Sequence, residues 1–169
     1  MINSITSELL NDCVAHLQES TKRVDACLQL LTEEQVWHKP NAQSNSIANL
    51  ILHLCGNMTQ YILSSLNNIP DVRERDKEFT TESGLSKAKL LEKLSSTVTE
   101  VVKVIEKQTD ELLLQIRSVQ GFSKSGVSII IHVTEHYSYH AGQIALLTKL
   151  ITNKDLEFYK GYNLNTKNR

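Results

Sequence analysis

Between Ile5 and Leu31 the apolar residues Ile5, Leu9, Val14, Leu17, Val24, Cys27, Leu28 and Leu31 recur mostly at three- and four-residue steps, with polar residues between them. That is the period of an amphipathic helix. LTEEQVWHKP follows, in which Thr32 is placed to cap a short turn with Gln35 at the capping-box position, and Pro40 closes it. A second helix is expected from about Ser46 to Leu66, capped by Ser44 or Asn45, with Ile47, Leu50, Ile51, Leu54, Met58, Tyr61 and Ile62 on one face. A third opens at Ser86 and runs to about Thr109 on Leu90, Leu94, Val98, Val101, Val102 and Ile105; a fourth spans about Val127 to Thr152. Between the third and fourth, ELLLQIRSVQGFSKSG reads as a short reversal, and no segment shows a convincing period of two.

The pattern therefore predicts an all-α, four-helix bundle. Its longest break, NNIPDVRERDKEFTTESGLS, is polar, charged and punctuated by Pro70 and Gly84. Long connections in compact domains usually carry function, and this one permits a crossover between helices two and three.

Composition narrows the partners. The chain of 169 residues suits a single domain, 1–169, and its formal charge of -1 has no run of five like charges. Neither nucleic acid nor an anionic membrane surface is expected as a partner. The longest apolar run falls far short of the roughly 20 residues that cross a bilayer, and MINSITSELLND has no signal-like core. A cytoplasmic protein acting on a small molecule is the expectation. Cys13, Cys27 and Cys55 lack the close spacing of a zinc knuckle and read as free buried thiols.

HVTEHYSYHAGQIALL then changes the picture. His132, His136 and His140 lie four residues apart on the fourth helix, and the chain has six histidines in all. Each four-residue step drifts by about 40°, so His136 and His140 lie along the edge of the apolar face while His132 points further outward. Two imidazoles one turn apart can bind one metal ion. His53, on the flank of the second helix with Asn57 one turn on, can supply a third donor, and three neutral imidazoles leave coordination positions open. The HxxxH pair lacks the glutamate of HExxH, and the same histidines also fit as polar core residues bonded to backbone or water.

Together, VWHKP with Trp37, SIANLILHLCGN with His53, the long connection and HYSYHAGQIALL resemble the DinB-like superfamily over nearly the whole chain; PDVRERDKEF is similar to the loop of a less characterised branch. The resemblance implies up-down-down-up helix order. It also implies a divalent metal, zinc or nickel, on His53, His136 and His140, leaving His132 outside the ligand set. Characterised members use the metal to activate a low-molecular-weight thiol such as bacillithiol or mycothiol, so the implied activity is metal-dependent thiol transfer to a small electrophile. Metal-dependent hydrolysis and a non-catalytic metal-binding or stress-related bundle are the alternatives. Ala141 stands where many relatives have a basic residue.

Further candidates surround this trio. Arg73 and Arg75 suit a carboxylate of substrate or cofactor, Asn57 and Gln143 suit ligand orientation, and Tyr137 can donate a hydrogen bond, though aromatic residues on a long helix more often pack. Cys55 lies about 200° round the helix from His53 and is excluded. Trp37 is expected as a plug at the bundle's end, and homodimerisation through an apolar helix face fits a bundle of this kind.

Overall fold

The computed structural model describes residues 4–168. Helix α1 (Ile5–Leu30) opens on a Ser4/Ser7 capping box, and α2 (Glu33–Trp37) on the Thr32/Gln35 box, where Gln35 N donates to Thr32 Oγ1 at 3.2 Å and Thr32 N donates to Gln35 Oε1 at 2.9 Å. The indole of Trp37 donates to the Leu85 carbonyl at 3.0 Å, tying α2 to the end of the long connection.

Helix α3 (Ile47–Met58) is capped by Ser46, not by Ser44 or Asn45. The reason lies in its third residue: Asn49 N donates to Ser46 Oγ at 3.1 Å while Asn49 Oδ1 accepts from Ser46 N at 3.2 Å, whereas the Ser44 hydroxyl donates to Asn41 Oδ1. Beyond Met58 the helix widens into a π-helix (Thr59–Ser64) and ends as α4 (Ser65–Asn67). The connection holds its own short helix, α5 (Arg75–Thr80).

Helix α6 (Lys87–Ile105) is capped by Ser86 and stops before Thr109, because the Thr109 hydroxyl accepts from Leu112 N to start α7 (Asp110–Leu114). Next comes a feature the periodicity did not reveal. Strands β1 (Ile116–Val119) and β2 (Phe122–Ser125) pair antiparallel, Ile116 opposite Ser125 and Val119 opposite Phe122. Their two-residue turn puts both Gln120 (φ 51°) and Gly121 (φ 80°) in left-handed conformation, the type I′ geometry that matches strand twist. Strands of four residues are too short for alternation to stand out. The last helix, α8 (Gly126–Thr152), carries the histidine series.

Side-chain contacts fix the helix directions. On α1 and α8, Thr21 meets Tyr137 and Cys27 meets Thr148, so the two run parallel. Thr6 at the start of α1 bonds Asp110 just beyond α6, and Lys87 at the start of α6 reaches the carbonyls of Leu28 and Leu31, so α1 and α6 are antiparallel. His53 meets His136 while Asn57 meets His132, so α3 and α8 are antiparallel as well. Both middle helices therefore run against the outer two, which is up-down-down-up order. Each of α1 and α3 packs against both α6 and α8. Leu17, Leu28, Ile51, Leu94, Ile129 and Ile144 are among the fully buried residues between them. No helix among the described residues is long and apolar enough to cross a membrane.

Candidate metal centre

Because α3 and α8 run antiparallel and touch, the flank of one faces the flank of the other. His53 Nε2 lies 3.1 Å from His136 Nε2, which lies 3.2 Å from His140 Nε2. All three donor atoms fall within 4.8 Å of one another. Zinc–nitrogen bonds of 2.0–2.1 Å in a tetrahedral site place ligand nitrogens about 3.3 Å apart, close to the two shortest separations.

The far side of each ring decides what the near side can be. His53 Nδ1 sits 2.8 Å from Glu78 Oε2, and His140 Nδ1 sits 2.7 Å from Gln143 Oε1. Both partners are acceptors, and Arg73 Nη2, 3.2 Å from His53 Nδ1, is itself engaged in donating to Glu78 Oε2 at 2.9 Å, so both Nδ1 atoms carry the proton and both Nε2 atoms present lone pairs. His136 Nε2 faces the two of them and can give a proton to only one. Its other nitrogen, Nδ1, is buried and has no hydrogen-bond partner among the described residues. Three inward nitrogens with at most one proton are a poor hydrogen-bonded core and a fitting set of metal donors.

Protonation does not offer a way out. Burial, followed by the charges of His140, His53, His132 and Arg73, pushes the His136 pKa down to about 3. Burial also lowers His140, against the bond from Gln143, and lowers His132 with help from Lys124.

Behind His53 stands a buried ion pair. Arg73, its side chain 2% exposed, forks onto Glu78 through Nε to Oε1 at 2.7 Å and Nη2 to Oε2 at 2.9 Å, and its Nη1 donates to Gln60 Oε1 at 2.8 Å. Burial works to raise the Glu78 carboxyl, but the bonds and charges of Arg73 and His53 outweigh it and hold the pKa below its ordinary value. Phe79 packs on the His53 ring with centroids 4.8 Å apart.

The close approach of Glu78 requires Gly56. A Cβ there would stand 1.9 Å from Glu78 Oε1 and 3.0 Å from Arg73 Nε. The end of α5 is held separately: buried Asn49 donates from Nδ2 to the carbonyls of Glu78 and Thr81 at 2.9 and 2.7 Å, and Lys39 donates to that of Phe79.

The expected site residues are thus sorted by position. His53, His136 and His140 come together; Gln143 bonds His140, and Arg73 reaches the centre both through Glu78 and directly, its Nη2 lying 3.2 Å from His53 Nδ1. Asn57 makes no hydrogen bond to His53: its Nδ2 lies 3.4 Å from His132 Nε2, and its Oδ1 is buried without a partner among the described residues. His132 is less outward than its helical bearing suggested, being half-buried and stacked on Tyr61 at 4.3 Å. Arg75 lies over the Phe79 ring at 4.9 Å and is exposed, away from the histidine nitrogens. Tyr137 turns to α1, where its hydroxyl pairs with Thr21 Oγ1 at 2.9 Å. One residue on from His136 means about 100° of rotation, enough to take it off the site's face. Cys55 is buried on the α6 side of α3, bonded to Thr97.

Glu78, Gly56 and Asn49 were not singled out by sequence reasoning. The signal for Glu78 lay inside PDVRERDKEF, a carboxylate five residues after Arg73; a glycine in mid-helix marked Gly56 as a point of close approach.

The fold is shared with solved structures. A conserved protein from Enterococcus faecalis aligns with a TM-score of 0.73 at 15% identity, covering 85% of this chain and 97% of its own. A DinB-like protein from Bacillus cereus aligns at 0.68 and 18% identity, covering 89% and 95% respectively. Another from Bacillus subtilis aligns at 0.67 and 16%, covering 88% and 96%. No curated protein matches the sequence significantly. The bundle has the fold of these DinB-like proteins, and since residues 4–160 match the family described as protein of unknown function (DUF1572), the chain belongs to that family.

Proposed function

We propose that the protein is a divalent-metal enzyme that transfers a low-molecular-weight thiol to a small electrophile, with His53, His136 and His140 holding zinc or nickel. The observation that carries the reading is the donor set: three imidazoles whose Nε2 atoms converge, two of them with Nδ1 fixed on acceptors. Bound by neutral ligands alone, the ion would keep its full positive charge and favour thiolate over thiol at neutral pH.

The chain's own residues supply the rest. Glu78 and Gln143 fix the tautomers of His53 and His140, turning their Nε2 lone pairs inward, and burial keeps His136 neutral at physiological pH. Arg73 balances the Glu78 carboxylate. With its charge held by Arg73, that carboxylate is a weak proton acceptor, so it orients His53 and does not serve as a general base. His136 and His140 are only half-buried, which supports catalysis over storage in a sealed core.

A cytoplasmic setting, in which reduced thiols are abundant, fits this chemistry. The test is thiol consumption by zinc- or nickel-loaded protein with bacillithiol or mycothiol and an electrophile such as monochlorobimane. Consumption should depend on metal and vanish in His136→Ala. Equal rates in the variant, or none with any thiol, would remove the proposal.

A further inference from the structure

The connection between α4 and α6 does more than cover one side of the bundle. Its α5 segment is pinned to α3 at two points: at Asn49 through the carbonyls of Glu78 and Thr81, and at His53 through the Glu78 side chain. The first depends on backbone alone. The second exists only if His53 carries its proton on Nδ1, the tautomer that turns the Nε2 lone pair toward His136 and His140.

We infer that Glu78, clamped by Arg73 in the space left by Gly56, is the positioning residue through which the 68–81 connection and the metal centre set each other's affinity. The inference rests on the metal reading above. Four observations support it. Glu78 is buried although it comes from a polar connection. Both its oxygens are engaged, Oε1 by Arg73 and Oε2 by Arg73 and His53 together. Arg73 has its remaining amino group on Gln60 of the π-helix, so the pair is fixed from both ends of the connection. And α3 lacks a Cβ where the carboxylate would meet one. A carboxylate behind a metal-binding histidine orients the ring and strengthens the ligand, and its loss commonly weakens metal binding 10–100-fold.

Reciprocity then follows from thermodynamics. If the seated connection raises metal affinity by some factor, bound metal must favour the seated connection by the same factor. Glu78 thereby becomes the link that lets metal occupancy close this side of the molecule.

The experiment uses the untagged full chain with zinc. Its dissociation constant is obtained by chelator competition, and hydrogen exchange of the Lys77 to Thr81 amides is followed with and without the ion, in wild type, Glu78→Gln and Gly56→Ala. Glu78→Gln puts an amide N–H₂ where Arg73 or His53 donates; Gly56→Ala keeps both charges and displaces the carboxylate. Circular dichroism confirms that each variant is folded, and either one suffices. The inference expects about one equivalent of zinc in wild type and exchange slowed about 10–100-fold by the metal. In the variants zinc should bind 10–100-fold more weakly and the protection should disappear. Wild type that binds zinc without slowing exchange, or folded variants that bind it as wild type does, would overturn the role of Glu78 while leaving the metal reading intact. Wild type that takes up no zinc would overturn both.

Discussion

His132 Nε2 lies 3.4 Å from Asn57 Nδ2, one turn away from where His136 meets His53. The first α8 histidine is thus paired with an amide and stacked on Tyr61, outside the converging nitrogens. His132→Ala should leave metal content unchanged, and His136→Ala should abolish it. Elemental analysis of the two purified variants checks the register; the reverse result would place the centre one turn lower on α8.

Gln143 stands behind His140 as Glu78 stands behind His53, with Oε1 accepting from Nδ1 at 2.7 Å. Gln143→Leu removes the acceptor and keeps the bulk. Metal affinity should fall about 10–100-fold with the fold unchanged. Titration with zinc against a competing chelator gives the number, and an unaltered affinity would show that His140 needs no partner.

Tyr137 is fully buried, and its hydroxyl pairs with Thr21 between α1 and α8. Tyr137→Phe should cost about 1 kcal/mol of stability, the usual net worth of a hydrogen bond, and have no effect on metal binding. Urea melts and metal analysis separate the two effects; loss of metal would return Tyr137 to the site.

The metal-free protein should be acid-sensitive. His136 has its pKa pushed to about 3 in the fold, against 6.5 ordinarily. Between those values the unfolded chain binds a proton that the folded chain refuses, so stability is complete above about pH 6.5, falls as pH drops toward 3, and levels off below. His140 and His132 are lowered too and act in the same sense. Glu78, held below its ordinary 4.5, adds a loss as pH falls further through its folded pKa. Thermal melts after chelation should give a lower Tm at pH 5 than at pH 7.5, with a shallower slope in His136→Gln. A variant slope equal to wild type would contradict the assignment.

How much of this was legible in the sequence depends on the range of the interaction. The long helices and the Thr32/Gln35 box are local consequences of period and capping, and they appear where the residues placed them, except that α6 stops at Ile105, short of Thr109. The histidine trio could be approached because i, i+4 spacing fixes two donors, and the motif around His53 pointed to the third. Glu78 was hidden because its contact is made by tertiary packing: nothing periodic marks a carboxylate in a polar connection that folds back on α3. The π-helix after Met58, which holds the Tyr61 that stacks on His132, leaves no pattern that a period of 3.6 would betray. Asn49 carried no signal of its own, although it both completes the α3 cap and tethers α5.

The most direct measurement is the metal content of untagged wild type beside His53→Ala. The account predicts about one equivalent of zinc or nickel in wild type and none in the variant. Wild type that remains metal-free after incubation with either ion, or a variant that retains a full equivalent, would contradict it.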